Sequence, residues 1–146
     1  MQEEIYITSH VEAIKQRALF LKKKGFSLIE VSEFIMKFSC EKCCLIEIYY
    51  GRYTDNPNVF IRFENKGEIP EQYGVEWLRT LERFQSEEKF QKNNNKVDKL
   101  IAIFSLLDYL EQNFDNVTDI EYCRVANQKI EENFQMGLWD IWFTEV

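Results

Sequence analysis

Cys40-Glu41-Lys42-Cys43-Cys44 is the densest group of reactive side chains in the sequence. The Cys40/Cys43 spacing suits two chemistries, thiol–disulfide exchange and zinc ligation. A redox pair of this spacing works when a helix N-terminus stabilises the attacking thiolate. Here the expected order is helix before and strand after, so the dipole opposes ionisation. A structural zinc site takes four ligands. Beyond Cys40, Cys43 and Cys44 the candidates are Cys123 and His10, and neither stands in a paired-ligand spacing. The plainer alternative is a set of small, partly buried thiols, since Cys44 also falls on the inward side of the strand that follows.

Asp55, Glu64 and Lys66 form a second set. Two carboxylates and a lysine match in residue type the arrangement by which metal-dependent nucleases hold Mg²⁺ beside a scissile phosphate. A chain of net charge −7 would repel that polyanionic substrate. His10, the only histidine, follows a potential N-cap at Ser9 and has no partner in sequence for general-base work. It reads as a surface or capping residue. The sequence contains no Gly-rich phosphate loop, nucleophile elbow or helical His-Glu-x-x-His.

The third set is electrostatic. Residues 111–146 hold eight acids and two bases, a balance of −6 out of the chain's −7. Glu111, Asp115, Asp119, Glu121, Glu131 and Glu132 dominate it, and the segment ends in Leu138-Trp139-Asp140-Ile141-Trp142-Phe143. Asp119 and Glu121 suit a helix N-terminus on dipole grounds alone. The rest leave a field able to steer a cationic protein. The pI near 4.9 argues against direct nucleic-acid binding.

These residues need elements to hold them. Ser9 and Glu12 spell a capping box ahead of Val11, Ile14, Ala18 and Leu21 at helical spacing, with Lys22-Lys23-Lys24 and Gly25 at the end. Ser27 and Glu30 spell a second box, with Phe26 and Val31 as a hydrophobic staple. Leu28, Val31, Ile35 and Phe38 then predict a second helix. Alternation over Cys44–Tyr50 and Val59–Glu64, either side of Thr54-Asp55-Asn56-Pro57-Asn58, predicts a β-hairpin. Trp77, Leu81 and Phe84, with Leu78 beside them, predict a helix within 73–90, whose start at Tyr73-Gly74-Val75 also fits a short strand. A wide apolar arc, Val97 to Leu110, predicts a central helix over 96–114. Thr118 and Glu121 open a last helix with Ile120, Cys123, Ala126, Ile130 and Phe134 on one face, and the aromatic tail has strand composition.

The fold expectation is therefore one α+β domain over 1–146. A small antiparallel sheet (a hairpin at about 43–64 plus a C-terminal strand at about 138–145) packs on four or five helices. The order lacks a βαβ alternation, which argues against a doubly wound parallel sheet. No N-terminal export signal and no apolar run of about 20 residues is seen, so the expectation is a cytoplasmic protein with reduced thiols and no membrane span. Composition, charge and the lack of a catalytic motif favour a cofactor-free, non-enzymatic protein-binding module. Its sharpest form is a bacterial immunity protein or antitoxin that inhibits a basic, nuclease-type toxin. The alternatives are a metal protein or enzyme built on the thiol or Asp55/Glu64/Lys66 set, and a structural or phage accessory protein that homodimerises through its tail.

Overall fold

The computed structural model describes residues 10–51, 56–64, 69–85, 90–91, 98–135 and 143–144. Helices α1 (Val11–Arg17) and α2 (Leu19–Lys23) run almost continuously, broken at Ala18. Ser9 lies outside the described residues, and the N-cap position of α1 is His10, whose side chain makes no cap hydrogen bond. The end of α2 is a Schellman motif. Gly25 adopts φ +92°, its N–H donates to Lys22 O at 3.1 Å, and the Phe26 N–H donates to Leu21 O at 2.9 Å.

Five antiparallel strands follow in sequence order: β1 (Ser27–Val31), β2 (Ile35–Ser39), β3 (Leu45–Tyr49), β4 (Asn58–Phe63) and β5 (Glu71–Gly74). The hairpin expected from alternation is β3–β4, with Ile46 opposite Ile61 and Ile48 opposite Val59. The expected second helix over 27–38 is instead the hairpin β1–β2, turning at Ser32, whose N–H donates to Ile35 O at 2.8 Å. The same apolar residues satisfy both periods locally, and pairing with β3 decides between them. As a strand, 35–39 places Met36 and Phe38 on the buried face beside Ile48 and Ile46. Glu30, which would have closed a capping box, instead lies 3.7 Å from Lys37 across the strands, and Lys37 lies 3.7 Å from Glu47.

Helix α3 (Val75–Gln85) leaves β5 directly. Gly74 is required at that junction, because a Cβ there would stand 2.9 Å from Asn58 Nδ2. Asn58 Oδ1 accepts from the Glu76 N–H at 3.2 Å and so satisfies an amide of the first helical turn. The buried stripe of α3 is Val75, Leu78 and Leu81, while Trp77 is 47% exposed. The expected Trp77–Leu81–Phe84 stripe is thus rotated toward Leu78, and the Phe84 side chain lies outside the described residues.

Helix α4 (Lys99–Gln112) starts at Asp98, whose side chain accepts from the Ile101 N–H at 3.1 Å. It buries Ile103, Leu106, Leu107 and Leu110, and those residues join the inward side chains of β2–β4 and of α1 and α2 in one hydrophobic cluster. A short α5 (Phe114–Val117) leads into α6 (Ile120–Gln135). The cap of α6 is Asp119, accepting from the Glu121 N–H at 2.9 Å, and not Thr118, whose hydroxyl donates back to Phe114 O at 2.6 Å.

Of the expected C-terminal strand, only β7 (Phe143–Thr144) is described. It pairs in parallel with β6 (Phe90–Gln91) as a separate two-stranded sheet, and does not extend the five-stranded one. Residues 138–142 and 145, including Trp139 and Trp142, lie outside the described residues. The architecture is α+β: a five-stranded antiparallel sheet, with helices packed on the face that carries Met36, Ile46, Ile48, Val59 and Ile61. Among the described residues no helix is long and apolar enough to cross a membrane.

Candidate functional site

The thiol cluster is assembled by the turn between β2 and β3. The Cys43 N–H donates to Cys40 O and the Cys40 N–H to Cys44 O, each at 3.1 Å. Cys43 is exposed and its Sγ lies 3.2 Å from Cys44 Sγ. Cys44 and Cys123 are buried, and Cys123 Sγ donates to Val117 O at 3.3 Å. Burial pushes the Cys44 thiol far up, with the Cys43 hydrogen bond adding to it. Burial also pushes Cys123 up to about 12, helped by Asp119 and Glu71. A ligand or nucleophile must be a thiolate, and both buried thiols are held in the neutral form. Among the described residues no three His, Cys, Asp or Glu side chains come together as a metal-binding group.

The Asp55/Glu64/Lys66 set is not assembled in the described part of the chain. Asp55 and Lys66 lie outside it, and Glu64 is exposed and accepts from Arg62 Nε at 3.1 Å. His10 rests against Tyr50, ring centroids 5.9 Å apart.

All six acids of the electrostatic set are exposed, but the fold gives them different work. Glu111 pairs with Arg17 of α1 at 3.0 Å, and Arg17 also meets Asp108, so this pair ties α1 to α4. Asp119 caps α6, and Glu121 pairs with Arg124 one turn later. Asp115, Glu131 and Glu132 have no cation within ion-pair reach among the described residues. Glu131 and Glu132 accept from Asn127 Nδ2 at 3.4 Å and Gln128 Nε2 at 3.2 Å, amides that leave the charge uncompensated.

Reasoning on charge alone missed two residues of the same helix. α6 packs through Cys123 and Ala126, with Ile130 partly buried, and leaves Tyr122 36% and Val125 51% exposed. At 100° per residue Tyr122, Val125, Lys129 and Glu132 share one flank, bordered by Glu121 and Gln128. The sequence held this signal, since Tyr122 and Val125 fall outside the Cys123–Ala126–Ile130 stripe. Burial and the nearby Glu82 carboxylate raise the Tyr122 hydroxyl, keeping it a neutral donor at physiological pH. The result is a helix flank with an exposed apolar pair and a mixed-charge margin, Glu121 held by Arg124 and Glu132 beside Lys129, and it holds no nucleophile–base pair.

No protein-family model matches this chain, and neither a curated protein nor a solved structure matches it at a level that would show kinship.

Proposed function

We propose that this chain is a non-enzymatic binding module for a basic protein partner, with the outward flank of α6 as its contact surface. One observation carries the reading: α6 exposes Tyr122 and Val125 on the flank that also holds Glu132, an acid with no cation within ion-pair reach among the described residues. A desolvated aromatic-aliphatic centre supplies most of the affinity of an interface, and unpaired charge at its rim supplies steering and register. Acids already neutralised, such as Glu111 by Arg17, can offer neither.

The specific form we favour is an immunity protein or antitoxin acting on a nuclease-type toxin. Nuclease active sites are cationic because they hold phosphates, so an exposed apolar pair set in a C-terminal third of net charge −6 is complementary to them. Growth rescue tests this form. The reading frame beside this gene should arrest growth when expressed alone, and co-expression with this chain should restore it. A neighbour that is not toxic, or toxicity that this chain does not relieve, removes it.

The field around this flank is tested by reversing Glu132, which lies on it, and Glu131, about 100° away around α6, to Lys together. Association with the rescued toxin should slow by roughly ten- to a hundredfold at low salt and converge with the wild type as salt rises. Both residues are exposed, so thermal stability should stay within about 0.5 kcal/mol of wild type. An unchanged low-salt association rate would remove the electrostatic argument.

A further inference from the structure

The five-stranded sheet ends at β1, and among the described residues no strand pairs with its outer side. Such an edge presents a row of unpaired N–H and C=O groups, and proteins normally blunt it with Pro, Lys, bulges or a covering element. Ser27–Val31 contains neither Pro nor Lys. It has a bulge between Leu28 and Glu30, yet Ile29 is 57% and Val31 40% exposed. Four of its five residues are exposed.

We propose that β1 is a self-association strand. Two copies of this chain pair antiparallel along it about a two-fold axis at Ile29, joining their sheets into one continuous sheet of ten strands.

The register follows from charge and symmetry. A closed pair of identical chains is most simply two-fold, which places one strand antiparallel to itself. Centred on Ile29, the bulge residue that has no partner in β2, the pairing sets Ile29 against its own copy, Ser27 against Val31, and Leu28 against Glu30. Ile29 is then covered. The same register carries Glu33, exposed in the turn after β1, to the level of Gly25 in the other copy. There an open cleft of about 710 Å³ is lined by Lys24, Lys42, Ser27 and Ile29, and its two lysines outnumber its single acid, Glu41. Each acidic end of β1 therefore meets a net basic end of the second copy, twice in one interface. A parallel pairing would bring like ends together, which disfavours it.

Sedimentation velocity over a wide concentration range tests the proposal, with circular dichroism checking the fold of each variant. The wild type should move from monomer to dimer as concentration rises, and Ile29→Lys should stay monomeric with an unchanged spectrum. Because Ile29→Lys alters the strand itself, two surface variants give an independent reading. Glu33→Lys should weaken the dimer roughly three- to tenfold at low salt, and Glu33→Lys combined with Lys42→Glu should recover most of that loss. A wild type that remains monomeric throughout overturns the proposal. So does a dimer that survives in Ile29→Lys, since another surface then mediates it. A dimer indifferent to Glu33→Lys at low salt overturns the register. Toxin binding through α6 is scored separately, so either reading can fail without the other.

Discussion

At β5 the sheet runs into the rest of the fold. Arg124 of α6 donates through Nε and Nη2 to both carboxylate oxygens of Glu71, at 2.9 and 2.6 Å, and Tyr73 OH donates to Glu71 at 2.6 Å. The chain then turns at Gly74 straight into α3. At β1, by contrast, the chain enters from the Schellman turn at Gly25 and leaves through the exposed turn after Val31, and its side-chain ion pair among the described residues, Glu30–Lys37 at 3.7 Å, reaches the neighbouring strand and not a helix. The lesson is that charge and exposure mean different things at the two edges. At β5 the ions are spent on holding elements together, as at Arg17–Glu111. At the end of β1 and on the flank of α6, exposed Val31 and Val125 stand near Glu33 and Glu132, acids with no cation within ion-pair reach among the described residues.

The largest perturbation should blur this contrast by acting beneath both edges. Leu107 is fully buried in α4 within the common cluster. Leu107→Ala should cost about 2–5 kcal/mol in chemical denaturation. Hydrogen exchange should quicken at both edges alike. A cost under about 1 kcal/mol would show that α4 is not the central helix.

Gly74→Ala acts on the closed edge alone. The new Cβ meets Asn58 Nδ2 at 2.9 Å, and Asn58 cannot retreat without losing its bond to the Glu76 N–H. Overpacking of this kind costs about 1–3 kcal/mol. The loss should appear first as faster exchange at the start of α3. Wild-type stability in this variant would mean that the β5–α3 junction is looser than its geometry states.

The thiols give a pH-dependent test of how α6 is held. Cys123 is buried against Val117, and its thiol is raised from about 9 to about 12 in the folded chain. The folded state thus binds this proton more tightly than the unfolded state. Its contribution is fully present below about pH 9 and is lost as pH climbs toward about 12. The slope is at most about 1.4 kcal/mol per pH unit for one thiol, and Cys44 is shifted in the same direction. Stability measured at pH 8 and pH 10 should fall, and Cys123→Ala should flatten part of that fall. A Cys123→Ala profile parallel to wild type would deny Cys123 this role.

Most of the framework was legible because its signals were local. The β3–β4 alternation, the Gly25 stop and the α6 stripe each rest on residues within one element. Residues 27–38 misled because Ser27, Glu30, Leu28, Val31, Ile35 and Phe38 satisfy a helical box and stripe as well as two strands. Only the register of Met36 and Phe38 on Ile48 and Ile46 separates the readings, and that information sits in β3. The site divided along the same line. That six acids lie outside could be read from polarity, but Arg17 and Glu111 are 94 positions apart. Which acids remain uncompensated therefore depended on tertiary structure. Tyr122 and Val125 are legible on the helical wheel as apolar residues off the Cys123–Ala126–Ile130 stripe, a signal that charge does not carry.

The smallest expected effect returns to the open edge. Gly25 holds φ +92°, while the nearest atom to a Cβ there, Cys40 Sγ, would be at an ordinary 3.8 Å. Gly25→Ala therefore has room, and its cost is backbone strain alone, about 1 kcal/mol. Since Gly25 directs the chain from α2 into β1, exchange at Phe26 and Leu28 should quicken while α3 and β5 stay unchanged. That is the mirror image of Gly74→Ala. If both substitutions loosen the same amides, the two edges belong to one cooperative unit and the contrast between them lies in surface chemistry only. If they separate, the open edge is also the softer one, and a strand that must adjust to meet its own copy has the freedom to do so.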